Sequence, residues 1–287
     1  MPLRTPRSLL LSLASVLFAL MPLSCDDPVR LPGRTYSGKQ IRVAAVQYAQ
    51  GKYALVAPEC IWADSPNNCA VHRLVDRAAE QGALLVVTPE YGVDQPGPEP
   101  TPRVGQNPSA IPSWPGPLLR NFSLQAARHG IYLVINLLTT GRTDDQQRTY
   151  NTQVAFGPGG AVLAVHHKIT LFDAESDTLT HGRQVTAFNT PFGTVGLLIC
   201  ADLYGDLRQH QQLVHQMGAR LIAVSSSWTA EGGAHWPRSF ARNWGVHVVS
   251  ANTTASPGAG GGVFDPSGRI LAKRSSPGLA MAWIDIP

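Results

Sequence analysis

Short apolar runs alternate with helical stretches along most of this sequence, and this alternation constrains the fold more than any other feature. Runs 83–88, 131–138 and 220–225 are bounded by turn residues and have the length of buried strands. Residues 68–80 carry apolar side chains at helical spacing, and Gly82 follows just beyond them. Strands that alternate with helices predict an α/β protein with layered sheets and helices.

Two hairpins interrupt the alternation, which makes the predicted sheets mixed rather than parallel. Strands 151–156 and 161–166 flank a Gly-Pro-Gly-Gly turn, and a second hairpin turns through residues 265–268 before a closing strand at 279–286. A Pro- and Gly-rich loop at about residues 92–115 has no periodicity, so we consider it a candidate cover for a site. With 44% hydrophobic residues, one large core is expected.

The N-terminus has the pattern of an export signal. Arg4 and Arg7 precede an apolar run at residues 9–20, and small residues follow the run. Residues 1–24 are therefore predicted to be a signal peptide. An uncleaved anchor helix is the alternative, but the run is short for a membrane span.

A tether is predicted at residues 25–40 and one folded domain at residues 41–287. Cys25, at the start of the tether, resembles the lipidated first residue of a bacterial lipoprotein, so lipid anchoring and plain secretion both stay open. We expect the protein in the cell envelope, periplasmic or anchored to the membrane, or secreted. Removal of residues 1–24 lowers the formal net charge from +4 to +2, which gives no reason to expect nucleic acid as a partner.

The chain has four cysteines, and the oxidising compartment of an exported protein limits the states that they can adopt. Cys60 and Cys69 flank a short loop and can form a disulfide in an oxidising compartment. If Cys25 carries lipid, Cys200 is left unpaired, as a reactive thiol must be. The alternative, three free thiols in a reducing cytosol, requires that the export signal be ignored.

Three chemically useful side chains come at or after the ends of predicted strands, where α/β proteins build their sites. Glu90 follows strand 83–88, Lys168 follows the first hairpin, and Cys200 ends an apolar run. Each has an ordinary reading: a solvated acid, a surface lysine and a buried thiol. Together they can perform acyl transfer through a thioester.

In that chemistry the charge of Lys168 favours the thiolate of Cys200. Glu90 accepts the thiol proton and later delivers it to a leaving amine. Lys168 and the backbone N–H of Ala201 stabilise the oxyanion of the tetrahedral intermediate. Sequence spacing alone does not show that these groups converge.

The sequence motifs around these residues resemble those of a known family. The sequence has Leu-Val-Val-Thr-Pro-Glu90, then Tyr-Asn-Thr-Gln-Val-Ala-Phe with His-His-Lys168-Ile-Thr-Leu-Phe, then Phe-Gly-Thr-Val-Gly-Leu-Leu-Ile-Cys200-Ala-Asp. Over residues 41–287 the chain resembles the nitrilase, or carbon–nitrogen hydrolase, superfamily. Ser227-Trp228 and the words around Glu90 and Lys168 are most similar to the branch with biotinidase and the pantetheinases (vanins).

The resemblance implies a four-layer αββα sandwich with mixed sheets, in which residues 41–287 form the catalytic domain. It implies that Glu175 is a second carboxylate, which orients the lysine or the substrate. Asp202 is expected to support the loop after the nucleophile, and Trp228 to line the acyl pocket, with a core tryptophan as the alternative. No cofactor is implied. No metal is expected either, because His166 and His167 lack partners at zinc-ligand spacing.

These points predict an exported thiol hydrolase that cleaves an amide bond other than a peptide bond. The expected partner is a small-molecule amide, of the pantetheine or biotin-amide kind, and a homodimer is the expected assembly. One alternative is an N-acyltransferase with the same triad, although relatives of that type span the membrane several times. The other is a catalytically silent binding or surface protein with the same fold.

Overall fold

The computed structural model describes residues 39–108, 114–143, 145–254, 256 and 258–286. The predicted signal peptide, nearly all of the tether and the predicted lipidation site at Cys25 lie outside these ranges. Within them, no helix has the length and apolar character that a membrane crossing requires.

Strands dominate the described ranges. They are β1 (Gln40–Gln47), β2 (Leu85–Val87), β3 (Glu99–Pro100), β4 (Tyr132–Thr143), β5 (Gln146–Phe156), β6 (Val162–His167), β7 (Thr186–Thr190), β8 (Gly193–Ile199), β9 (Ala219–Ser226), β10 (His247–Asn252), β11 (Gly261–Phe264), β12 (Ile270–Arg274) and β13 (Gly278–Asp285). The helices are α1 (Pro66–Glu80), α2 (Pro117–His129), α3 (Glu175–Thr178), α4 (Leu207–Gln211) and α5 (Gly232–Trp244).

The strands form one ladder in the order β6-β5-β4-β2-β1-β10-β9-β8-β7. Its central strands are parallel, while β5, β6, β7 and β13 pair antiparallel with their neighbours. The two halves meet at a single register pair, Gln47 with Asn252. The ladder folds back on itself and brings β5 next to β9. Gln153 in β5 donates a hydrogen bond of 2.9 Å to the Ser225 hydroxyl in β9.

Three buried apolar clusters separate four layers. α1 and α2 pack on one half of the ladder, α5 and the segment after α4 pack on the other half, and the third cluster fills the space between the halves. Strand β1 shows why: Val43 and Ala45 face the central cluster, whereas Ala44 and Val46 face α1, as the two-residue period of a strand requires. The predicted αββα sandwich with mixed sheets is confirmed.

Some elements differ from the sequence-based prediction. Residues 206–217 also have a helix-like pattern in the sequence, but they form the short α4 followed by a π-helical turn, Gln212–Gln216. The β4–β5 hairpin extends beyond the predicted strands, because its outer pairs are polar and carry no apolar signal. The loop at 92–115 is fixed to α2, where the Glu99 carboxylate accepts hydrogen bonds from the N–H groups of Leu118 and Leu119. None of its described residues lines the cavity at Cys200.

Cys60 and Cys69 are joined by a disulfide, with their Cα atoms 5.7 Å apart. The bond connects the 3₁₀ turn Pro58–Trp62 to the first turns of α1. Cys200 is the free cysteine of the described residues, and it is buried.

Candidate active site

The ends of β2, β6 and β8 bring the three predicted residues together. Glu90, Lys168 and Cys200 are only 1%, 2% and 8% exposed. Lys168 Nζ lies 2.8 Å from Glu90 Oε1, and the thiol of Cys200 forms a hydrogen bond with the same carboxylate. A carboxylate that contacts both the ammonium group and the thiol can exchange a proton with the sulfur while it remains paired with Lys168.

Cys200 has an unusual backbone conformation for a residue with a side chain. Its φ is +45°, in the left-handed region, at the junction of β8 and the 3₁₀ turn Cys200–Tyr204. Such strain is common at functional sites. The N–H of Ala201 lies in the first turn, where helical N–H groups have no partner within the helix. The N–H of Ser227 donates a hydrogen bond to the sulfur.

Lys168 lies between two carboxylates. Besides Glu90, its Nζ contacts Glu175 Oε2 at 2.7 Å. Glu175, at the start of α3, also accepts hydrogen bonds of 2.8 Å from the N–H of Phe172 and from the Tyr91 hydroxyl. The structure therefore places Glu175 where it orients the lysine.

The two carboxylates differ in protonation behaviour. Burial raises the pKa of Glu90, and the charge of Lys168 offsets only part of this effect. Burial also acts to raise the pKa of Glu175, but hydrogen bonds from Lys168 and from the N–H of Phe172 outweigh it, so that pKa is lowered. The surroundings thus favour the charged form of Glu175 and the neutral form of Glu90, which makes Glu90 the better candidate for proton exchange.

The charge of Lys168 favours the thiolate of Cys200, in the expected direction, but it does not decide the pKa of the thiol alone. Burial of the thiol and the nearby Glu90 carboxylate raise the pKa of Cys200, and they outweigh the opposite effect of Lys168. Burial acts to lower the pKa of Lys168. Its anionic neighbours act to raise that pKa by more, so the pKa is raised overall and the lysine stays charged. The surroundings of Cys200 together favour the thiol over the thiolate.

Sequence reasoning missed two asparagines behind Glu90. Asn151 in β5 donates to Glu90 Oε1 at 2.7 Å, and Asn136 in β4 donates to Asn151 Oδ1 at 2.7 Å. Asn136 Oδ1 accepts the N–H of Tyr91 at 3.1 Å. Asn151 is part of the Tyr-Asn-Thr motif that supports the family resemblance. Neither amide stands out in the sequence, because β5 is polar over most of its length and a single asparagine in β4 has many explanations.

Asp202 has a wider role than support of the loop after Cys200. Its Oδ1 accepts the N–H groups of Ile169 and Thr170, at 3.0 and 2.8 Å. Its Oδ2 accepts the N–H of Ile199 at 3.0 Å and lies 3.0 Å from His166 Nε2. Asp202 therefore joins the segment after Lys168 to the strand that ends at Cys200.

Trp228 belongs to the buried cluster under α5 and also lines a cavity of about 570 Å³ that Cys200 lines too, so both readings of this residue agree with its position. Its own exposure is 8%. The two histidines before Lys168 have other partners: His166 contacts Asp202, and His167 Nδ1 lies 2.8 Å from the Thr152 hydroxyl. Within the described ranges, no three His, Cys, Asp or Glu side chains form a group suited to a metal ion.

A thiol, a carboxylate and an ammonium group at the strand ends of an αββα sandwich are the arrangement implied by the nitrilase resemblance. The sequence profile of the carbon-nitrogen hydrolase family matches residues 42–286, and the chain belongs to this family. The predicted enzyme class, a carbon–nitrogen hydrolase of the amidase type, is thereby confirmed.

Particular relatives agree with this assignment. The chain is 33% identical over 223 residues to the omega-amidase NIT2 of Danio rerio, covering 71% of this chain and 76% of that protein. Its fold is similar to Nit3 of Saccharomyces cerevisiae, with a TM-score of 0.67, 21% identity and coverage of 86% and 90%. An amidase from Nesterenkonia gives a TM-score of 0.64 at 21% identity, with coverage of 87% and 91%. The placement nearest the vanin branch stays a prediction.

Proposed function

We propose that this protein is an exported amidase in which Cys200 is the nucleophile, Glu90 the general acid and base, and Lys168 the oxyanion-binding group. The observation that carries the proposal is the shared carboxylate. Glu90 holds a hydrogen bond with the thiol and lies 2.8 Å from Lys168 Nζ. The raised pKa of Glu90 brings a carboxyl group closer to neutral pH, where a general base is most effective.

In the first half of the reaction, Glu90 takes the thiol proton as the sulfur of Cys200 attacks the amide carbonyl carbon. A carbon–sulfur bond forms, and the carbonyl oxygen becomes an oxyanion held by Lys168 Nζ and the Ala201 N–H. The tetrahedral intermediate collapses, the carbon–nitrogen bond breaks, and Glu90 returns its proton to the departing amine. A neutral amine and a thioester of Cys200 result.

In the second half, water replaces the amine. Glu90 takes a proton from the water as its oxygen attacks the thioester carbon, and the same two donors hold the new oxyanion. The carbon–sulfur bond then breaks, the sulfur recovers the proton from Glu90, and a carboxylic acid leaves. The chain's own residues carry every proton of this cycle.

Export is proposed from the signal-like segment at residues 1–24, and Cys25 is the proposed lipid attachment point. The bond between Cys60 and Cys69 supports an oxidising compartment, because such bonds seldom persist in a reducing one. Within the amidase class we propose small amides of the pantetheine or biotin-amide kind as substrates, and a homodimer as the assembly.

The test is intact-mass measurement of the mature protein after brief incubation with pantetheine, biotinyl and simple aliphatic amides, with Cys200→Ala as the matched control. We expect an acyl adduct on the unaltered protein only, together with released amine. If the acyl adduct is stable in water but yields a new amide when an amine is added, the protein is an acyltransferase. No adduct and no amine from any of these amides would favour a silent binding protein.

A further inference from the structure

The cavity on Cys200 has an aromatic wall. Phe172, Tyr204, Trp228 and Trp236 all line it. The rings of Tyr204 and Trp236 lie with their centroids 4.9 Å apart. Tyr204 is close to the reacting groups, since the charges of Cys200 and its neighbours affect the pKa of its hydroxyl. Whatever substituent accompanies the scissile amide therefore contacts π surfaces.

The aromatic wall is held in place by the backbone. The N–H of Trp228 donates to Asn252 Oδ1 at 2.7 Å, and Asn252 Nδ2 donates to the Trp228 carbonyl at 3.1 Å. Gly232 lies against both indoles: a Cβ there would stand 3.2 Å from Trp228 Cβ and 3.3 Å from Trp236 Cδ1. The glycine permits the start of α5 to pack onto both tryptophans. These contacts fix the backbone at Trp228 and the packing of the first turn of α5 on it.

The same cavity has an acidic rim without a matching cation. Glu231, which precedes α5, lines it. Among the described lining residues there is no lysine or arginine, and His235 is the one side chain able to take up a positive charge. The charge of Lys168, at the base of the site, is already balanced by two carboxylates at 2.8 and 2.7 Å, and its remaining N–H is the one proposed to hold the oxyanion. A carboxylated substrate would find no free cation here.

Three arginines line a different cavity of the protein, whereas no arginine lines the cavity at Cys200 among the described residues. Arg142, Arg148 and Arg183 line a separate cleft of about 500 Å³ beside the β4–β5 hairpin. The fold therefore supplies basic side chains to one cavity and an acid with aromatic rings to the other. Trp228 Nε1 adds one more feature: it is a buried donor with no hydrogen-bond partner among the described residues.

We propose that this pocket selects amides whose substituent carries a positive charge, an ammonium or quaternary ammonium group, and disfavours carboxylated amides. Aromatic faces attract cations through the ring quadrupole, and Glu231 adds a complementary charge. This inference deepens the proposed function and rests on Cys200 being the nucleophile of the same pocket.

The test uses three amides of equal chain length that end in a trimethylammonium, a hydroxyl and a carboxylate group. Their binding to the Cys200→Ala protein is measured by calorimetry, which needs no turnover. We expect the trimethylammonium amide to bind at least about 10-fold more tightly than the carboxylate, with the hydroxyl compound between them. Equal binding, undetectable binding of all three, or tighter binding of the carboxylate would overturn the inference.

Two substitutions in the Cys200→Ala background assign the preference. Glu231→Gln should reduce the ratio between the cationic and anionic amides by about 10-fold, while the exposed Glu80→Gln leaves it unchanged. Trp236→Leu should weaken the cationic amide about 3- to 10-fold and leave the hydroxyl compound nearly unaffected. An unchanged ratio in Glu231→Gln would overturn the inference.

Turnover of the three amides by the unaltered protein is measured separately. Selective binding without release of amine means that the proposed function fails while the inference holds. Release of amine without selective binding means that the proposed function holds while the inference fails.

Discussion

Glu90 and Asp202 are buried carboxylates on either side of the nucleophile, and their partners differ in kind. Glu90 contacts side chains: the ammonium group of Lys168, the amide of Asn151 and the thiol of Cys200. Asp202 contacts three backbone N–H groups and one imidazole, that of His166.

This difference separates chemistry from positioning. Backbone N–H groups neither titrate nor change rotamer, so a carboxylate that they hold fixes the chain around it. A carboxylate among titratable side chains can exchange protons with them, and burial raises the pKa of Glu90 in support of that role. We therefore expect changes at Glu90 to affect rate, and changes at Asp202 to affect both stability and rate.

The largest effect on rate is expected from Glu90→Gln. The amide keeps an oxygen for Lys168 but takes no proton from the thiol, so kcat/KM should fall at least about 1,000-fold. The free energy of unfolding should change by no more than about 1 kcal/mol, because the substitution removes the desolvation cost of a buried charge and Lys168 keeps Glu175 as counter-ion. Amine release and urea denaturation measure the two quantities. A loss of several kcal/mol would show that Glu90 is structural.

Asp202→Asn is expected to reduce stability most. Its new NH₂ group would face a backbone N–H or the imidazole of His166, and buried donors would lose their acceptor. The free energy of unfolding should fall by about 2–4 kcal/mol. The rate should also fall, with the loss in kcat rather than in KM, because the segments that carry Lys168 and Cys200 are no longer joined. Unchanged stability would contradict the assignment of Asp202 as a positioning residue.

The sequence alone predicted more of this site than of its support. Glu90, Lys168, Cys200 and Glu175 were found because the polar residues follow apolar strands and stand in family words. The layers were predictable for a similar reason, since periodicity reports which strands and helices have a buried face.

What the sequence could not predict depends on contacts between distant segments. Asn136 gave no signal because a single polar residue in a strand has many explanations. The bonds of Asp202 to Ile169 and Thr170 join segments more than thirty residues apart, and local pattern contains no such information. The pKa of Cys200 depends on the folded chain in the same way, because burial raises it and outweighs the nearby charge of Lys168.

Glu175→Gln should give a smaller loss with a diagnostic pH profile. Lys168 would lose one of two counter-ions, and kcat should fall about 10- to 100-fold. The charge of Glu175 raises the pKa of Glu90, so its removal lowers that pKa. Because Glu90 must be deprotonated to act as base, the acidic limb of the kcat/KM profile should move to lower pH. A shift to higher pH would show that the two carboxylates are not coupled in this way.

The smallest effect on rate is expected from the double variant Cys60→Ser, Cys69→Ser, which serves as the control for Asp202. Loss of a disulfide that closes a loop of this length should lower the free energy of unfolding by about 2–3 kcal/mol, similar to the loss expected at Asp202. The bond lies between a 3₁₀ turn and α1 and lines no part of the Cys200 cavity. The rate at a temperature where both variants are folded should therefore be unchanged. If it fell as far as in Asp202→Asn, lost stability alone would explain both results, and the distinction between the two carboxylates would rest on Glu90 only.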